Sequence, residues 1–281
     1  FLDPFQGTVL ANYAYKELGV SNAYCLGELG NDYDQGLVHY FKEAAEGMGM
    51  KVITAEFPKD SADFTSYLTT AKNEGADVIF APCSIQYAQL IVEQADAQGI
   101  EASLLGGDTW DSNQIPGAAE GKDVEIYVST FYQEGGNPEF DNGFKAWLNS
   151  DAEAMTNNGG NDIISAVSAM GYDAYFVALE ALKAAGSTDA KAVNDALWAT
   201  TYEGVSGAIA FEPVNGDAVR DTAYIKTIDT ATGSWQFVGV QWGTIVCALI
   251  NGWLIGQCSR LLEKCFVFKD ALPWRGWFEQ Q

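Results

Sequence analysis

Three short stretches of the chain together supply carboxylates, aromatic rings, hydroxyls and a thiol. Glu28, Asp32, Tyr33 and Asp34 form the first, Cys83 and Ser84 the second, and Asp108, Thr109, Trp110 and Asp111 the third. Acids beside rings and hydroxyls suit a small ligand that carries an ammonium group, because the acid pairs with the cation and the ring lies against it. No covalent chemistry is needed to explain them.

Other chemistries find little support. The single histidine, His39, lies between Leu37 and Phe41 in a helical pattern, so helix packing accounts for it without a Ser-His-Asp triad. Zinc requires clustered Cys or His, and Cys25 and Cys83 have no such spacing; they read as buried structural thiols. Asn31-Asp32-Tyr33-Asp34-Gln35-Gly36 superficially matches a calcium loop, but Tyr33 takes a ligand position and Lys42 stands where a bidentate Glu is required. No G-x-x-x-x-G-K-[ST] is present, and Gly27-Glu28-Leu29-Gly30 lacks the dinucleotide spacing. With 38 acids in the chain, close carboxylate pairs arise by chance and do not mark a glycosidase. The sequence therefore assigns no catalytic residue, no metal ligand and no cofactor.

The elements that must position these stretches follow from hydrophobic period. Leu37, Phe41, Ala44 and Ala45 make one amphipathic stripe, Phe64, Tyr67, Leu68 and Ala71 a second, and Ala88, Ile91 and Ala95 a third. Short apolar runs alternate with them: Asn22 to Leu26, Val52 to Ala55, Val78 to Ala81 and Ser103 to Leu105. Val78-Ile79-Phe80-Ala81 is apolar at four successive positions, which predicts a strand covered on both faces. Strands alternating with helices imply a parallel, doubly wound α/β lobe, whose ligands bind beyond the carboxyl ends of the strands. That rule selects Gly27 to Gly36, Pro82 to Ser84 and Gly106 to Ser112, the three stretches named above.

Beyond Gly121 the rhythm changes. Glu125 to Tyr132 alternates like a strand, and Phe140 to Ser150, Ile163 to Ala185 and Asp189 to Ala199 read as helices with no strand between them. Gly186-Ser187-Thr188-Asp189 is a stop and restart, a glycine cap followed by N-cap residues. Gly207 to Phe211, Ala223 to Ile228 and Trp235 to Val240 alternate with period two and predict a β-meander.

Charge narrows the partners. Of 281 residues, 38 are Asp or Glu and 15 Lys or Arg, giving −23, which argues against a phosphate backbone or an anionic bilayer as partner. Residues 237–281 carry +1, half of the eight tryptophans and three of the five cysteines, so this end differs from the body. From Thr230 to Ser259 no residue is charged, and Trp242 to Cys258 is mostly apolar, marginal in length for a membrane span.

Several motifs together carry a resemblance. Asp3-Pro4-Phe5-Gln6-Gly7, Asn31-Asp32-Tyr33-Asp34-Gln35-Gly36-Leu37, Ala62-Asp63-Phe64, Asp77-Val78-Ile79-Phe80 and Gly106-Gly107-Asp108-Thr109-Trp110-Asp111-Ser112 stand in unbroken order. Gly171-Tyr172-Asp173-Ala174, Ala185-Gly186-Ser187-Thr188-Asp189, Gly204-Val205-Ser206-Gly207 and Phe211 through Asn215-Gly216-Asp217 follow. From Phe1 to Val240 the chain resembles the branched-chain amino-acid-binding proteins, the type I periplasmic solute-binding components of ABC importers.

The resemblance implies a two-lobe clamshell that closes on a free amino acid outside the cytoplasm, as a monomer, and delivers it to a membrane permease without catalysing a reaction. It implies that Tyr33 is the aromatic flanking the ligand and Asp108 the acid pairing its ammonium, with Ser84 and Trp110 completing the ligand-binding set. Ser84 stands where leucine-binding members place a Tyr, and Asp108 is one methylene shorter than their usual Glu, so a polar, larger or amide-type ligand is compatible. Family members begin upstream of Asp3, so an N-terminally truncated chain is expected, without a signal peptide. The expected organisation is a ligand-binding lobe over 1–123, part of a second lobe, mainly helices, over 124–203, β segments returning across the hinge over 204–240, and a non-family apolar tail over 241–281. Ala248 to Gly256 resembles the opening of a partner permease subunit, which favours a fusion or read-through over an anchor. Two alternatives stand beside this reading: the ligand-sensing domain of a receptor or regulator, and a small-molecule α/β hydrolase using Ser84 near Asp108.

Overall fold

The computed structural model describes residues 2–212, 216–220 and 222–242. The chain divides into two units, Phe1–Gly243 and Thr244–Gln281, and the expected apolar tail beyond Trp242 lies outside the described residues.

The first half builds one α/β array: α1 (Asp3–Lys16), β1 (Asn22–Glu28), α2 (Asp32–Gly47), β2 (Lys51–Phe57), α3 (Thr65–Asn73), β3 (Val78–Phe80), α4 (Ile85–Ala97), β4 (Ser103–Gly106), α5 (Gln114–Ala119) and β5 (Ile126–Thr130). The second half holds α6 (Pro138–Ser150), α7 (Ala152–Asn157), α8 (Ala166–Ala185), α9 (Ala190–Trp198), β6 (Tyr202–Gly204), β7 (Gly207–Ile209), β8 (Thr222–Asp229) and β9 (Ser234–Trp242). The four expected strands and three expected helices of the first half are all present.

Seven strands form one sheet in the order β2-β1-β3-β4-β5-β8-β9. Strands β1 to β5 run parallel, and β8 and β9 add an antiparallel edge. The sheet is covered on both faces, as the run at Val78 requires. Val78 and Phe80 join the core of α1 and α2, whereas Ile79 joins that of α3, α4 and α5. In β1, Ala23 and Cys25 go one way and Tyr24 and Leu26 the other, the period of two that puts successive side chains on opposite faces.

Helix α1 was not expected. Its buried residues run almost without a break from Gln6 to Ala14, so no polar face gives it a helical stripe. It lies close against α2 because position 7 is glycine: a Cβ there would meet the Phe41 amide nitrogen at 2.7 Å and Tyr40 Cβ at 2.8 Å.

The expected meander is corrected in one respect. Strands β8 and β9 form a hairpin, but Gly207–Ile209 pairs with Tyr202–Gly204 in a separate two-stranded sheet. Among the described residues between them, Phe211 and Ala218 form an isolated bridge. The stop and restart after α8 is as expected: Gly186 takes the left-handed conformation at φ +58°, and the Asp189 side chain accepts from the Ala192 amide.

Helices α6 and α8 share a small core of Phe131, Tyr132, Phe140, Ile164, Ala166 and Ala169. Their other flanks remain uncovered among the described residues, with Trp147, Val167, Tyr172, Tyr175 and Leu182 exposed. A cavity of about 720 Å³ opens along this aromatic flank between Phe144, Trp147, Tyr172 and Tyr202.

Candidate functional site

The strand order reverses between β1 and β3, and the loops following β1, β3 and β4 meet at that point, where open α/β sheets bind ligands. Asn31 caps α2. Its Oδ1 accepts from the amides of Tyr33 and Asp34, and its Nδ2 donates to Glu28 Oε2 at 3.0 Å. This cap fixes the first turn of the helix and with it the position of Tyr33.

Tyr33 Oη donates to Asp108 Oδ1 at 2.5 Å, and Gln6 Nε2 donates to the same oxygen at 2.9 Å. Oδ2 of Asp108 meets no donor among the described residues. Burial, and then the Asp108 charge, push the Tyr33 phenol far above its ordinary range, so it stays a donor. The Asp3 carboxyl is raised by partial burial and by Asp108 nearby. Gly107 makes the contact possible, since a Cβ there would lie 2.7 Å from Tyr33 Oη.

Beside Asp108 opens a cavity of about 530 Å³. Ser84, Ile85, Asp108, Thr109, Asp111 and Asn113 are on one side of it in sequence, and Asn157, Asn158, Ser165, Val167 and Ser168 come from α7, the loop after it and the start of α8. Ser84 is the N-cap residue of α4, and its hydroxyl is buried without a hydrogen-bond partner. The loop after β3 is tied to the loop after β4 because the Cys83 carbonyl accepts from both Thr109 Oγ1 and Trp110 Nε1, each at 3.1 Å.

Of the four residues expected at the site, Ser84 and Asp108 line this cavity. Tyr33 stands behind Asp108 and holds its carboxylate. Trp110 has no exposed surface and belongs to the core of α3, α4 and α5, where its ring packs on Gly106. Asp32, named with them, is exposed at the start of α2. His39 was expected to pack within its helix; it is instead exposed on the surface of α2, 3.9 Å from Glu43. Cys25 and Cys83 are buried free thiols in opposite cores, both raised by burial.

Four contributors were missed in the sequence: Gln6, Ser165, Ser168 and Lys226. Gln6 comes from the unrecognised α1. Ser165 and Ser168 come from the start of α8, and nothing in their spacing links them to Asp108. Asp111, four per cent exposed, lay within the selected stretch, yet its partner Lys226 is 115 positions away on β8.

A family model described as periplasmic binding protein matches residues 3–233. Leu/Ile/Val-binding protein homolog 7 of Brucella abortus is 30% identical over 175 residues, which are 61% of this chain and 42% of that protein. A leucine binding protein from Thermotoga maritima superposes with a TM-score of 0.73 at 28% identity, over 86% of this chain and 66% of that one. A branched-chain amino acid transporter substrate binding protein from Streptococcus pneumoniae, solved with isoleucine, gives 0.68 at 26%, over 85% and 66%. A solute binding protein from R. palustris holding benzoate shares the fold, with a TM-score of 0.70 at 19% identity. The chain thus spans under half the length of the curated relative and about two thirds of these solved structures.

Proposed function

The chain belongs to the periplasmic binding protein family, and from that premise we propose that it captures an amino acid outside the cytoplasm for an ABC permease. The observation that carries this reading is the Asp108 carboxylate, held through Oδ1 by Tyr33 and Gln6 at the edge of the cavity. With one oxygen occupied by neutral donors, Oδ2 remains to accept a ligand ammonium in a charge-assisted bond. Ser84 and Thr109 supply hydroxyls beside it, and Trp110 backs the wall from within the core. Relatives solved with isoleucine and named for leucine support an α-amino acid as ligand. The serine at position 84 favours a polar side chain over leucine itself.

A hydrolytic reading lacks its parts. Ser84 Oγ has no hydrogen-bond partner, and the one histidine is exposed on α2. A nucleophile needs a base within reach.

The test is a thermal-shift series on the chain with each of the common L-amino acids at millimolar concentration. A ligand at ~100 times its dissociation constant adds about 2.7 kcal/mol of stability, so a bound amino acid raises Tm visibly. No shift with any amine-bearing ligand would end this reading and leave the sensing alternative.

A further inference from the structure

Asp111 and Lys226 form an ion pair that is almost wholly removed from solvent, with side chains one and four per cent exposed. Lys226 Nζ lies 3.0 and 3.1 Å from the two carboxylate oxygens. The same carboxylate accepts from Thr130 Oγ1 at 2.6 Å and from the Ala166 amide at 3.2 Å. One side chain therefore joins four pieces of the fold: the turn that carries Asp108, the end of β5, the middle of β8 and the first residue of α8.

That last bond is the informative one. Ala166 is flanked by Ser165 and lies two positions before Ser168, and both serines line the same cavity as Asp108. Lys226 itself is not part of that cavity's lining. Its position is set by an irregularity in the β8–β9 pairing between Ile225 and Lys226, which leaves both neighbours buried. A buried ion pair adds little net stability compared with apolar residues of similar volume. Its worth here lies in geometry. Lys226 bonds both oxygens of Asp111, and the same carboxylate accepts from the α8 terminus.

We propose that Lys226 is a positioning residue of the ligand cavity, acting through Asp111 to set the separation between the Asp108 wall and the α8 wall. The proposal rests on the ligand-binding reading above. It assigns affinity to a residue that touches no ligand.

Removing the cation alone strands a buried carboxylate, a change severe enough to unfold a marginal protein. The decisive variant is therefore Asp111→Asn with Lys226→Met, in which no charge is left buried, and Thr130→Val serves as a milder companion that removes one bond to Asp111. Two measurements on the 281-residue chain decide the matter. Hydrogen exchange without ligand should show faster exchange of the Ala166 amide and its neighbours in the double variant, with the sheet unchanged. Calorimetric titration with L-leucine, L-isoleucine and L-glutamine should show affinity reduced by about tenfold or more, the scale of an ångström-level misplacement, at an unliganded Tm close to the parent's. Thr130→Val should fall between the two proteins. Unchanged protection of the α8 terminus overturns the proposal, as does parental affinity in the double variant. A parent that binds none of the three probes counts against the ligand reading instead, and the exchange data still decide whether the pair holds α8.

Discussion

Tyr33 and Asp108 are separated by 75 positions in sequence, and their side chains meet at 2.5 Å across a glycine that has no room for a Cβ. The backbone at Gly107 is extended, with φ −79° and ψ −171°, a conformation open to any residue. Space, and not backbone freedom, is what the glycine supplies. Gly107→Ala is therefore expected to push the phenol off Asp108 and to cost about 1–3 kcal/mol, the usual price of overpacking. Chemical denaturation measures the loss, and stability equal to the parent's would mean that Tyr33 moves aside freely.

Asp108 itself calls for two substitutions. Asp108→Asn keeps an Oδ1 acceptor for Tyr33 and Gln6 while removing the charge. It should weaken binding of an ammonium ligand roughly tenfold to a hundredfold, the worth of a hydrogen bond to a charged group, with little change in Tm. Asp108→Ala leaves two donors without an acceptor and should lower Tm as well. Titration and thermal melting of the pair separate recognition from scaffold, and equal binding by Asp108→Asn would remove the residue from the site.

Trp110 should behave as scaffold. Trp110→Phe removes the donor to the Cys83 carbonyl and part of a fully buried ring, so a loss of about 1–3 kcal/mol is expected. Affinity should follow only as far as the loop after β3 relaxes. A variant with parental stability and lost affinity would place the ring at the ligand instead.

Asp34 predicts a pH effect. Burial raises its carboxyl to about 6 from 3.8, only partly offset by the Glu28 amide that donates to Oδ2 at 2.7 Å. Its Oδ1 is buried without a partner. A raised carboxyl favours the protonated form in the folded state. Its contribution is thus full below the unfolded value and is lost as pH rises through about 6. The difference in unfolding free energy between the parent and Asp34→Asn should shift in favour of Asn across that interval. A pH-independent difference would contradict the assignment.

What could be read in advance follows from locality. The runs at Asn22, Val52, Val78 and Ser103 announce strands because each is short, apolar and set between amphipathic helices. The loops that follow them are then fixed by the topology. Helix α1 gives no such signal, because a helix buried on most sides has no polar face to set its period. Gln6 was missed for that reason. Lys226 was missed for another: the irregularity beside it breaks the alternation that would point it inward or outward, and no spacing rule links it to Asp111. Trp110 sits in the core although its loop position admitted it to the ligand set, because loop position alone does not tell a ring at the mouth from one turned into the core.

The close crossing of α1 over α2 at Gly7 bears on how the site could diversify. Gln6, the second donor to Asp108, is its immediate neighbour on the same turn. Any larger residue at position 7 would lever that turn away from α2 and carry the amide with it. Mutational drift at this crossing would therefore surface first as altered selectivity toward amines, with mechanical looseness between the helices as its hidden cause.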